Sequence, residues 1–137
     1  MKAYLHLILL TGMSFVSNAV LSQNILTSSV EWKSALTTIS SSNSSVNENT
    51  RVVSTPTQVT WYNEDGTVKK QFAIVKPLGS WSDISWDGYI VFSVNSNGDS
   101  GTIHFSKTQG VVQLSVHIIE GLDSVIYDLT VTTVNVL

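Results

Sequence analysis

Residues 88–131 read GYIVFSVNSNGDSGTIHFSKTQGVVQLSVHIIEGLDSVIYDLTV, and the tight-turn signals inside this stretch set one strand register after another. Asn97-Gly98, between Ser96 and Asp99, is the pair best suited to a two-residue type I′ loop, whose central residues both take positive φ. That loop sets Phe92 against Ile103 and Ile90 against Phe105 on one face, with Val91 against His104 and Ser93 against Thr102 on the other. Closing Lys107 on Gly110 across Thr108-Gln109 pairs Phe105 with Val112, Ile103 with Leu114 and His104 with Gln113. Closing Glu120 on Asp123 across Gly121-Leu122, a glycine-first loop suited to type II′, pairs Ile118 with Val125, Val116 with Tyr127, Leu114 with Leu129 and Val112 with Val131. All three turns keep the apolar residues on one face. A one-residue slip would turn every side chain over, so their agreement predicts a four-stranded antiparallel meander. Beyond Val131 the alternation changes parity at Val134 and Val136, which predicts a β-bulge near Thr132-Thr133.

The first 22 residues have the pattern of a signal peptide. Met1-Lys2 is a positive n-region, and the apolar run from Tyr4 to Leu10, extended weakly to Val16, has h-region length rather than that of a membrane span. Cleavage is expected after Ser22 or, alternatively, after Ala19. This divides the chain into a signal peptide, 1–22, and a single secreted domain, 23–137, of about 115 residues, enough to bury a core without covalent staples. With Lys2 removed, six basic residues face ten acidic ones, and Lys69-Lys70 is the only basic pair. Such a surface offers no footprint for a phosphate backbone, so no nucleic-acid partner is expected. The chain has no cysteine, which excludes disulfides, thiolate metal sites and a thiol nucleophile. Export without cysteine points to a bacterial envelope or extracellular setting, secreted or periplasmic.

Between these ends the sequence is harder to read. Ser28 and Glu31 have capping-box spacing, and Trp32, Ala35, Leu36 and Ile39 share a helical face, so one short N-terminal helix is expected over 29–39. A strand is the competing reading, because Val30, Trp32 and Leu36 also share parity. Residues 40–49, rich in Ser and Asn, read as a loop, with a formal glycosylation acceptor at Asn43-Ser44-Ser45. A hairpin follows over 58–76 around Asn63-Glu64-Asp65-Gly66. A bulged turn would pair Tyr62 with Val68, whereas a two-residue loop would pair Val59 with Phe72. Residues 76–88 form a loop carrying Trp81, Ile84 and Trp86.

No catalytic or metal site is expected. In the derived register His117 lies four residues along from the position opposite His104, at about 3.3 Å per residue beyond the reach of a shared metal. Ser115 and Asp128 are direct neighbours, but His104 falls roughly 12 Å from Asp128 by the same spacings, too far for a relay. The carboxylates Glu64, Asp65, Asp83, Asp87, Glu120 and Asp123 sit at turns, and Asp83, Asp87 and Asp99 lack the spacing of a calcium loop. The aromatic residues carry the functional reading. Trp81, Trp86, Trp61 and Tyr89 are the candidate ligand-binding residues, since large rings near loops can stack on a sugar or cover an apolar molecule. The alternative is that these rings plug the open end of a barrel or sandwich.

The strand-turn-strand Val59-Thr60-Trp61-Tyr62-Asn63-Glu64-Asp65-Gly66-Thr67-Val68, followed by Gly79-Ser80-Trp81-Ser82 and then a β meander, resembles the small exported lipocalin-like domains of bacterial envelopes. The resemblance implies an antiparallel barrel or half-barrel and a small apolar ligand. The expected fold is therefore all-β, an antiparallel meander of about six to eight strands forming a small barrel or two-layer sandwich. The expected function is that of a non-enzymatic binding module for a small apolar or glycan ligand, without a cofactor. The alternative is a structural or protein-interaction domain, possible as a homodimer, acting through the edge of the 125–137 strand or through Val91, Val111 and Ile126 on the sheet face.

Overall fold

The computed structural model describes residues 23–137; the expected signal peptide, 1–22, lies outside them. Eight antiparallel strands follow one another around a closed barrel: β1 (Val30–Ile39), β2 (Ser44–Ser54), β3 (Gln58–Tyr62), β4 (Val68–Leu78), β5 (Gly88–Ser96), β6 (Asp99–Thr108), β7 (Val111–Glu120) and β8 (Asp123–Val136). Every strand pairs with its neighbour in sequence, and β1 closes the ring on β8.

The meander β5–β8 has the expected alternation. Asn97 and Gly98 both take positive φ, and Phe92 pairs with Ile103. Gly121 alone takes positive φ in the β7–β8 turn, with Leu114 opposite Leu129. One link differs. The β6–β7 loop is Gln109-Gly110, not Thr108-Gln109; both residues have positive φ, so Thr108 pairs with Val111 and Phe105 with Leu114. The type I′ geometry places glycine at the second loop position, whereas the expected loop would have buried it in a strand. The register moves by two residues, which preserves parity and hence both faces. The bulge also forms: Lys33 pairs with Thr133 but Ser34 with Val131, leaving Thr132 unpaired, and Val134 packs against the core.

The expected helix over 29–39 is instead strand β1. Its ladder is shared with two neighbours, so its backbone donors and acceptors are paired on both sides, an arrangement that a helix would forfeit along with barrel closure. The helix-like spacing has a local cause. A register shift between Ser34 and Leu36 switches the inward set from Val30, Trp32 and Ser34 to Thr37, and the Ser34 hydroxyl donates to the Leu36 carbonyl at 2.8 Å across the bulge. Nor are residues 40–49 all loop, since β2 begins at Ser44 and pairs with the end of β1. That half of the strand is exposed, which is why it carries no apolar pattern. In the β3–β4 hairpin both candidate pairings coexist: Tyr62 pairs with Val68 and Val59 with Phe72, because a bulge between Trp61 and Tyr62 absorbs the difference.

An eight-stranded barrel is just wide enough for side chains to fill it. Here they do. Trp32 packs against Phe105 with the rings tilted, 4.7 Å between centroids, Phe105 meets Phe92 edge-on at 5.8 Å, and Trp61 meets Tyr127 edge-on at 5.3 Å. The end of the barrel at which β5 begins is closed by Ile25, Trp81 and Ile84, all buried. These come from the segment before β1 and the loop after β4, which are laced together by backbone bonds from Ile84 N to the Gln23 carbonyl and from Ile25 N to the Trp81 carbonyl.

Candidate functional site

The four aromatic candidates separate into two pairs. Trp61 (2 % exposed) and Trp81 (4 %) belong to the packed interior; Trp86 (73 %) and Tyr89 (68 %) project from the outside. Trp61 lies under the Lys69 ammonium, 4.6 Å from the ring, and its indole nitrogen has no protein partner.

Trp86 is exposed on a loop held from several directions. The buried Trp81 ring donates from Nε1 to the Trp86 carbonyl at 3.1 Å. Trp86 N donates to the Asp83 carbonyl, and Ser85 N to the Asp83 carboxylate. Lys107 reaches from β6 to the Ser85 carbonyl at 2.9 Å. Asp87 accepts from Gln109 N at 2.7 Å and from Gly110 N, tying the loop to the β6–β7 turn. The carboxylates Asp83 and Asp87 thus serve turn chemistry, as expected of them. The result is a large flat ring presented to solvent on fixed backbone, a low-entropy contact of the kind that stacks on ligands.

Tyr89 begins the outer face below this loop. In the observed register it pairs with Ser106, Ser106 with Gln113, and Gln113 with Thr130. The next row runs Val91, His104, Ser115, Asp128 and Thr38. Side chains from the two rows line a hollow of about 540 Å³ on the outside of β6, β7 and β8. Within it Asp128 accepts from the Ser115 hydroxyl at 2.6 Å and from the Ser40 hydroxyl at 2.7 Å. Two further hollows, of about 800 and 330 Å³, lie beside the β3–β4 hairpin.

The corrected register brings His104 directly opposite Ser115, closer than expected, but no relay forms. Ser115 donates straight to Asp128, and the His104 Nε2 contacts Thr102 at 3.3 Å. His117, opposite Thr102, bonds Ser124 at 2.7 Å. A nucleophile-base-acid chain needs the imidazole between serine and carboxylate, and here it lies beyond the serine. Among the described residues no group of three metal-ligating side chains converges, and no helix is long and apolar enough to cross a membrane.

One buried charge stands apart from these sites. Glu31, on the outside of β1, contacts Lys33 at 3.3 Å, Arg51 at 3.4 Å and Asn135 at 3.2 Å. Burial pushes its carboxyl up, but the Asn135 amide, the Lys33 ammonium and the Arg51 guanidinium outweigh that and hold it below its ordinary range. Arg51 also lies over the Tyr62 ring at 4.1 Å, so the cluster fastens β1, β2, β3 and β8 together.

Sequence reading missed the row formed by Ser106, Gln113 and Thr130. Its outer links, Tyr89 to Ser106 and Gln113 to Thr130, follow from turns that the sequence marks clearly. The middle link required the β6–β7 turn to be placed correctly. Comparison of the chain with family models, with curated proteins and with solved structures found no match.

Proposed function

We propose that this protein is a secreted, non-enzymatic binding module that takes a small apolar or glycan ligand on the outside of its barrel, at Trp86 and Tyr89. The observation that carries the reading is the exposed indole of Trp86 on a loop fixed by Trp81, Asp83, Lys107 and Asp87. An exposed tryptophan has no stabilising role in the core, and hydrogen bonds that immobilise its backbone reduce the entropy lost when a partner docks. Burial of Trp81 and Trp61 leaves them the supporting role of holding the barrel on which the outer rings are displayed.

The experiment is a titration of intrinsic fluorescence against neutral oligosaccharides and, in parallel, against laurate as an apolar probe. Binding should change the emission of the native protein and not that of Trp86→Phe. Emission changes that persist in the variant would move the site away from this rim.

The interaction reading has one structural observation in its favour. The expected edge at 125–137 is not free, because β8 pairs with both β7 and β1. On β2, however, pairing with β3 begins only at Arg51, so 44–50 keeps one side without a strand. A concentration-dependent dimer abolished by proline at Asn47 would favour this second reading.

A further inference from the structure

We infer that the ligand is a neutral glycan chain, and that it runs from the aromatic rim along the hollow outside β6, β7 and β8. This deepens the exterior-binding reading and rests on it. The supporting relationship is continuity: Tyr89, an exposed ring, is the first member of the cross-strand row that continues through Ser106, Gln113 and Thr130, all lining the hollow. At about 4.8 Å per strand step, the row extends roughly 14 Å across the barrel, long enough for several linked sugar rings rather than for one small molecule.

The chemistry along the row changes in the order that a glycan would meet it. Tyr89, with Trp86 on the loop above, offers flat faces for the C–H side of a sugar ring. Beyond it come the Ser106 hydroxyl, the Gln113 amide and the Thr130 hydroxyl, with the Asp128 carboxylate in the adjoining row. Asp128 already accepts from two hydroxyls, one on each oxygen, from Ser115 and Ser40 at 2.6 and 2.7 Å. Both bonding partners are exposed or half-buried side chains, so adjacent sugar hydroxyls can replace either one without breaking the sheet. Among the described residues, Asp128 is the one Asp or Glu lining this hollow, and no Lys or Arg lines it. A polyanionic chain would meet uncompensated negative charge there, and an alkyl chain would cover the Gln113 amide and the Ser106 and Thr130 hydroxyls without offering them partners. A neutral polyol satisfies all of them.

The test uses linear hexasaccharides of glucose, mannose, xylose and N-acetylglucosamine, with laurate as the apolar comparison, followed by amide NMR and calorimetry. At least one hexasaccharide should bind and shift the amides of His104, Gln113 and Asp128. Gln113→Ala and Asp128→Asn, both at exposed positions, should each weaken it by about tenfold, the loss expected for a hydrogen bond involving a charged or well-placed polar group. Hexasaccharide binding that needs Trp86 but is unchanged in both variants would overturn the track and leave the exterior site standing. Laurate binding through Trp86 with no hexasaccharide binding would overturn the glycan class. Binding of neither probe would overturn both readings together.

Discussion

The buried indole of Trp81 donates its N–H to the backbone carbonyl of Trp86, 3.1 Å away, so one tryptophan closing the barrel fixes the position of another that faces solvent. The two rings are five residues apart and differ in exposure from 4 % to 73 %. That bond is one of the links that couple core packing to surface presentation.

Replacing Trp81 by Phe keeps most of the ring and removes the donor. It should cost about 1–2 kcal/mol of stability and increase the local motion of Trp86, seen as lower fluorescence anisotropy. Trp86→Ala, in contrast, should leave stability within about 0.5 kcal/mol of the native value, as surface substitutions do. Equal losses in the two variants, by denaturant unfolding, would contradict the division between support and contact.

Gly88 is where β5 passes beneath Trp81. A Cβ there would lie 2.5 Å from the ring's Cδ1 and 2.6 Å from its Nε1. Because the ring is buried it has little room to move, and Gly88→Ala should destabilise by about 1–3 kcal/mol and disturb the bond to Trp86. A thermal melt unchanged from the native protein would show that the plug is loose.

The β6–β7 turn gives a separate test of register. Gln109 has φ near 50°, a region that asparagine tolerates better. Gln109→Asn should therefore stabilise by about 0.5–1 kcal/mol. If Thr108-Gln109 were the loop, with Gly110 in the strand, Thr108→Asn would be the stabilising change instead.

Much of this fold was legible because hairpin chemistry is local. Asn97-Gly98 and Gly121-Leu122 each determine a register from a few adjacent residues, and alternation extends it along the strands. The β6–β7 error arose because Thr108, Gln109 and Gly110 offer two possible loops of equal parity, which hydrophobic patterning cannot distinguish. β1 was illegible for another reason. Its bulge at Ser34–Leu36 breaks the period of two, its near partner β2 begins in an exposed Ser/Asn-rich stretch without apolar alternation, and its other partner β8 is about a hundred residues away. For the site, sequence picked out the aromatic residues but not their separation into buried and exposed. That depends on which rings the barrel's closed end requires.

Acid should reveal the Glu31 cluster. The carboxyl is held below its ordinary value near 4.5 in the folded state, so its contribution is complete above that value and is lost as pH falls through the depressed folded pKa. Glu31→Gln should flatten the acid limb of a stability profile measured below pH 5 and, above that range, lower stability by a constant amount without changing the slope. An acid limb identical in the two proteins would mean that Lys33, Arg51 and Asn135 give the charge no net advantage.

The central claim is that the barrel interior is filled by its own rings and that the ligand meets the protein from outside. Native mass spectrometry of protein taken gently from its host, compared with the denatured spectrum, tests it most directly. The bare polypeptide mass in the folded state, with any glycan adduct lost at low activation energy while the fold persists, is the predicted result. An apolar molecule that stays with the folded protein and leaves only on unfolding would place the ligand inside the barrel and contradict the account.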